Sequence, residues 1–520
     1  MPLRALILTT VNFFLCLISP LSAEVKLPPL FGDHMVLQAE MAVPVYGTAA
    51  AGEKVTVRFR DQEKSAVAGA DGRFNIKLDA LKPGGPDKLV VSGTNTITLD
   101  DVLVGDVWVG SGQSNMAGKA GSYAKTDASL LAKMVEQSVP MLRLYRAGKW
   151  TAASPQVSGD FSALMFAFGA HLQAELKQPV GLMVGAVGGT PSGYWLTQAM
   201  LDQDESFQAA VKQQTAKLDE AKFKQAVTKY EQALAAWEKN AHELKAAGKK
   251  PDLKTKPKKP VRPGECNGQV GHLYEAHIRP FVGFGIRGVL WDQGEAGTGI
   301  EKVYNDVVMG ALINGWRRDW GQGEFPFLYV QKQSGGGCAW DPADPVTAKA
   351  SKFAPQPEKP PHISAGLWKE LHIRIAQHPS TAMVTCTDLG GGIHPSNKSG
   401  YGIRAAKVAM GFVHKQPVAY QGPTYASHTI EGDTIRLHFT HIGKGLSAAH
   451  SDKLQGFMIA GEDKVFHWGQ AKIDGDTIVV RSDMVPKPAS VRYAWSEQFP
   501  WANLFNKDGL PALTFRTDKW

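Results

Sequence analysis

Four apolar runs in the middle of the chain each end in a short polar or glycine-rich loop. Val107 to Val109 leads into Gly112-Gln-Ser-Asn-Met116. Val180 to Val184 leads into Gly185-Ala-Val-Gly-Gly-Thr190. Ile286 to Leu290 leads into Trp291-Asp-Gln-Gly-Glu295, and Ala382 to Thr387 leads into Gly391-Gly-Ile-His-Pro395. Short continuous apolar runs bounded in this way read as strands buried on both faces. Helical patterns alternate with them from Asp100 to about Gln416, which predicts a three-layer α/β domain over 100–416. Its four loops sit at the C-terminal ends of their strands, where open α/β sheets build their sites.

Shorter runs flank this domain. Val43 to Tyr46, Lys54 to Arg58, Phe74 to Lys77 and Lys88 to Val91 are separated by turn signals at Asp71-Gly72 and Pro83-Gly-Gly85. That spacing predicts a small β-sandwich-like domain over 24–99. Ile435 to Phe439, Thr477 to Val480 and Val491 to Trp495 predict a second β-module over 417–520.

An insertion over 203–263 interrupts the α/β pattern. Phe223, Val227, Tyr230, Leu234, Trp237, Ala241 and Leu244 alternate spacings of four and three, an amphipathic helical stripe. Gly248 ends the helix, and the Lys/Pro-rich run from Lys249 to Pro263 is expected to be an extended, solvated linker. Charge concentrates here. Nine Lys or Arg and three acids between Glu238 and Arg262 account for +6 of the formal net charge of +8. The rest of the chain is near neutral, which argues against a nucleic-acid-binding face.

The N-terminus reads as a signal peptide over 1–23: Arg4, an apolar core from Ala5 to Ile18, then Leu21-Ser-Ala23. That core is too short for a membrane span, no other stretch reaches that length, and export to the periplasm or the medium is expected. Beyond the signal lie Cys266, Cys338 and Cys386. An odd count does not make a disulfide scaffold. Cys266 and Cys338 stand in glycine-bearing loops and could pair; Cys386 reads as a buried thiol.

Ser114 stands at a strand-to-helix turn, where free backbone N–H groups lie beside the hydroxyl. Met116 occupies the place of the last glycine of the α/β-hydrolase elbow, so that motif is absent. No metal-ligand cluster and no phosphate loop emerge. Gly335-Gly-Gly337 lacks the Lys-Ser/Thr of a P-loop, and cofactor-free hydrolysis is the simplest expectation.

Gly112-Gln-Ser-Asn-Met116, Gly188-Gly-Thr190, Trp291-Asp-Gln-Gly-Glu295 and Ile393-His-Pro-Ser-Asn-Lys398 occur in order across about 280 residues. In these motifs the chain resembles the SGNH-hydrolase superfamily, and within it the sialate O-acetylesterase-like carbohydrate esterases. The resemblance implies a flavodoxin-like α/β domain and an exported esterase that removes O-acetyl groups from sugars. It makes Ser114 the nucleophile and His394 the base, with an oxyanion hole from the Ser114 and Gly189 backbone N–H groups and the Gln293 side chain. Gly188 is the alternative to Gly189. Tyr194 and Trp195 could stack on a sugar or pack in the core.

The chain departs from the family at two positions. Gly392 stands where relatives carry the aspartate that orients the histidine, and Gly297 stands where they often carry asparagine. Glu295 and Asp388 are the two candidates to orient His394. Glu295 is preferred because an active-site loop holds it and its side chain is longer. Two other readings stand beside sialate O-acetylesterase: an acetyl xylan or other polysaccharide acetylesterase, and a catalytically inactive carbohydrate-binding protein.

Overall fold

One strand, Thr96–Gly112, organises the molecule. The computed structural model describes residues 24–127, 130–332, 335–362 and 364–520; the expected signal segment, 1–23, lies outside them. The first half of the strand pairs antiparallel with Gly84–Ser92, and Leu103 to Gly105 pair in parallel with Val36–Gln38. Its second half is flanked in parallel by Val180–Ala186 on one side and Gly288–Asp292 on the other. The strand therefore passes through position 99/100, where the sequence pattern changes, without interruption.

The result is a mixed α/β fold with a central sheet. Phe327–Val330 and Thr381–Val384 extend the sheet beyond Gly288–Asp292, and Val139–Arg146 and the antiparallel Lys149–Ala153 extend it beyond Val180–Ala186. Side chains alternate across a strand, and the alternation divides two cores. Val107, Val109, Val289, Trp291 and Phe327 face one core, shared with helix Asn305–Trp320 and with the N-terminal strands. Trp108, Leu182, Leu290, Leu328 and Val384 face the other, with helices Ala163–Leu176 and Lys398–Val408. Both faces are covered, which explains why these strands read as unbroken apolar runs.

Beyond Gly422 the chain is antiparallel β. Thr424–Glu431, Thr434–Thr440, Thr477–Arg481 and Gln470–Asp474 form one four-stranded sheet. Phe457–Ala460 and Ser490–Tyr493 are central in another, and Ile435, Leu437, Phe457, Ile459 and Val491 share one core between them. The insertion contains the expected helix, Glu220–Ala246. The Lys/Pro-rich run is not a free linker. It folds back on the helix, with the Arg262 guanidinium 4.6 Å from the Phe223 ring centre and Lys256 5.5 Å from that of Trp237. The apolar stripe needs cover, and the aliphatic stems of these cations supply it.

Cys266, Cys338 and Cys386 are all free thiols, so the suggested Cys266–Cys338 pair does not form. Cys338 is buried against the C-terminal module, where its thiol donates to the Ala502 carbonyl at 3.3 Å.

Gly112 ends the central strand at φ +127°, and a Cβ there would fall 2.1 Å from the Asp292 carbonyl oxygen. Gly112→Ala is expected to lower stability by about 2–4 kcal/mol and to abolish the site built on this turn. Urea unfolding checks it; a wild-type midpoint would show that the close approach of the two strands is dispensable.

Candidate active site

Ser114 opens the four-residue helix Ser114–Ala117, directly beyond the central strand. Gln113 N–H donates to the Asp292 carbonyl at 2.9 Å and Val187 N–H to the Gly112 carbonyl at 3.1 Å. The turn is thereby fixed to the loops after both neighbouring strands. His394 lies in the loop between Thr381–Val384 and helix Lys398–Val408. Its Nε2 is 2.8 Å from Ser114 Oγ, although 280 residues separate the two. In the tautomer protonated at Nδ1, Nε2 accepts the hydroxyl proton, the arrangement that a general base and a nucleophile require.

The glycine loop closes the other side of the serine. A Cβ on Gly188 would stand 3.4 Å from Ser114 Cβ, whereas one on Gly189, at φ +71°, would meet nothing within 4 Å. Among the described residues neither the Gly188 nor the Gly189 N–H meets a protein acceptor. Ser114 N–H, first in its helix, has no intrahelical acceptor either. Gly188 therefore abuts Ser114, and the free backbone donors of the turn and of the glycine loop belong to adjoining segments.

Several expected roles are corrected by the geometry. Glu295 does not orient His394: its carboxylate accepts from the Gln113 and Asn115 side-chain amides and pairs with Lys332. Asp388 does not either, because it is buried and bonded to Arg404 at 2.6 Å. Among the described residues His394 Nδ1 has no hydrogen-bond partner, so serine and histidine stand as a pair. Gln293 spends both amide hydrogens on carbonyls, Gly297 at 2.7 Å and Thr190 at 3.3 Å, and so is not an oxyanion donor. It ties the glycine loop to its own loop instead. Trp195 is fully buried against Trp291, ring centres 5.8 Å apart, and belongs to the core. Tyr194 remains partly exposed, packed on His272.

The residues that the motifs did not single out lie beneath the pair. Lys332 is completely buried and bridges Asp292 at 2.7 Å and Glu295 at 3.0 Å. Burial alone would push its ammonium down, but the two carboxylates hold it above its ordinary value. Burial likewise pushes Glu295 up, and the Lys332 ammonium with the amide donors outweighs it, so its carboxyl stays below the usual range. Asn115 uses its whole side chain. Its Nδ2 donates to Glu295 at 3.0 Å and to the Ile393 carbonyl at 2.9 Å, and its Oδ1 accepts from Lys398 Nζ at 2.5 Å. It therefore joins the turn carrying Ser114 to the loop carrying His394. Lys332 was legible only as a charge just past a buried strand; Asn115 and Lys398 stood inside the motifs with no chemistry to mark them.

With this geometry in place, the comparisons are specific. Residues 104–238 match the family model described as carbohydrate esterase, sialic acid-specific acetylesterase. The chain is similar to the sialate O-acetylesterase-like carbohydrate esterases. It is 28% identical to the sialate O-acetylesterase of Rattus norvegicus over 339 residues, 58% of this chain and 59% of that protein. To the Homo sapiens protein of the same name it is 25% identical over 439 residues, 75% of this chain and 72% of that one. The aligned part thus spans less than two thirds of the rat protein. The crystal structure of a carbohydrate acetylesterase from Xanthomonas citri superposes with a TM-score of 0.70 at 28% identity, covering 95% of this chain and 100% of that one.

Removal of the Asn115 link should reduce turnover by about 100-fold, the scale of a 1 Å misplacement, with modest loss of stability. Glu295→Gln should act differently, lowering stability by about 3 kcal/mol because Lys332 loses a buried partner. Kinetics and urea titration of Asn115→Ala and Glu295→Gln check both; equal stability losses would show that the two side chains do one job.

Burial lowers the Lys398 ammonium to about 8 from its ordinary 10.5. Between these values the unfolded chain binds more protons than the folded one, so the penalty of burying the charge is relieved as pH rises. Wild type should therefore gain stability relative to Lys398→Met from pH 8 to 10, with a flat difference below pH 8. Urea midpoints across that range test the sign.

Proposed function

We propose that this chain is an exported serine esterase that removes O-acetyl groups from carbohydrates, with an SGNH-type layering of its α/β part and sandwich-like modules on either side. The observation that carries the reading is the 2.8 Å contact between Ser114 Oγ and His394 Nε2 at the C-terminal edge of the sheet, beside Gly188. The names of the relatives agree with it, and the leader-like residues 1–23 support export.

His394 takes the Ser114 proton as Oγ attacks the acetyl carbonyl carbon. The Ser114 and Gly189 N–H groups, with Gly188 as neighbour, stabilise the oxyanion; one such donor contributes on the order of 3 kcal/mol to the transition state. Collapse breaks the bond to the sugar oxygen, and His394 returns the proton to it. Water, deprotonated by His394, then attacks the acetyl-enzyme and releases acetate and free Ser114. Without a carboxylate on Nδ1, the imidazolium is steadied by solvent at the exposed ring edge, and the Asn115–Ile393 link holds the loop in place. The vacancy at Nδ1 is also the one feature that favours the second reading, an inactive sugar-binding protein.

Ser114→Ala should abolish hydrolysis of p-nitrophenyl acetate while leaving the fold intact. His394→Ala should be comparably severe, since the two act as a unit. Equal turnover by wild type and Ser114→Ala at matched purity would end the esterase reading. A panel of acetylated sialic acids and acetylated xylan then separates the two substrate readings.

A further inference from the structure

The basic run from Lys249 to Pro263 is built as a fixed ridge. Trp237 Nε1 donates to Thr255 Oγ1 at 3.0 Å, and Arg262 makes a two-pronged contact with Glu220 at 2.7 and 3.0 Å. Pro251, Pro257, Pro260 and Pro263 are each partly or fully buried and stiffen the path. Along this run Lys249, Lys250, Lys254, Lys256, Lys258 and Lys259 are all exposed. None of the six makes an ion pair among the described residues, while Asp219 and Glu220 at the start of the supporting helix pair with Lys222 and Arg262.

The insertion that carries the ridge is attached to the rim of the candidate site at both ends. It departs after the glycine loop, where Ser192 N–H and Gly193 N–H donate to the Gly297 and Thr298 carbonyls. It returns where Gly264 N–H and Asn267 N–H donate to the Glu301 and Gly299 carbonyls. The loop carrying Gln293 and Glu295 is thus held between the two ends of the insertion.

We propose that this ridge is a docking surface for an acidic polysaccharide, a linear carboxylated or sulfated glycan, that presents the polymer to the Ser114–His394 site. The polysaccharide rests on the esterase reading above; the charge and the rigidity do not. A row of unpaired ammonium groups on an ordered support attracts a polyanion with little further ordering cost. The same face is poor for nucleic acid. Residues 249–263 contain no aromatic side chain on which a base could stack, and Trp237 and Phe223 are covered by Lys256 and Arg262.

The test uses the full mature chain and a variant with Gln at all six lysine positions. Fluorescently labelled polygalacturonate is the probe, titrated at low and at physiological salt. Wild type should bind it in a salt-dependent manner and bind neutral xylan far more weakly. The variant should lose roughly tenfold or more in affinity, with a shallower salt dependence, while turnover of p-nitrophenyl acetate stays at the wild-type level. Unchanged polygalacturonate affinity in the variant would overturn the proposal. So would equal or tighter wild-type binding to single-stranded DNA, since the ridge would then be a generic polyanion surface. Polymer binding that depends on the lysines in a protein inactive on the small ester would leave the ridge standing and sink the esterase reading alone.

Discussion

A buried lysine between two carboxylates is the interaction on which the rest of the site depends. Lys332 has no access to water, and its charge is tolerable only because Asp292 and Glu295 lie at 2.7 and 3.0 Å. A buried pair of this kind adds little net stability, but breaking it is expensive, so it fixes geometry. Glu295, held in its ionised form, is then a rigid acceptor for Gln113 and Asn115, the residues on either side of Ser114. Ser114 is positioned through its neighbours rather than through its own hydroxyl.

That arrangement changes what orients His394. In the usual triad a carboxylate fixes the ring directly. Here Gly392 leaves that place empty, and restraint reaches the histidine through backbone: Asn115 holds the Ile393 carbonyl, and Lys398 holds Asn115. The glycine loops assist by close contact, since a Cβ on Gly335 would fall 2.4 Å from Gly391 Cα. Phe499 N–H, from the C-terminal module, donates to the Gly336 carbonyl at 2.6 Å. The far end of the chain thereby supports the loop that abuts the histidine loop, which gives the β-module a part in the site without a side chain in it.

The central strand carries the mechanical side of the same problem. Because Thr96–Gly112 belongs to the N-terminal sheet and to the central one, the N-terminal strands share a core with Trp291 and helix Asn305–Trp320. Trp195 and Trp316 each meet Trp291 edge-on beneath the loops, at about the spacing where aromatic pairs pack favourably. The loops can therefore be short and rich in glycine while their bases remain fixed.

Ser114, His394 and the glycine loop were legible in the sequence because each follows a buried apolar run, the pattern expected of strands covered on both faces. The helix of the insertion was legible for a similar reason: its stripe is periodic. What covers the stripe was not, since a Lys/Pro run has the same composition whether it is solvated or laid on a helix. The partner of Glu295 was also out of reach. Its loop position was evident, but whether its carboxylate turns to His394 or to Lys332 depends on a residue from the next strand over. Gln293 was misassigned because its amide is claimed by the carbonyls of Gly297 and Thr190, and which of the two open readings of Trp195 holds was decided by aromatic rings distant in sequence. Local pattern determines which residues reach the edge of the sheet; only the packed structure decides which of them face one another, because those contacts join segments up to 280 residues apart.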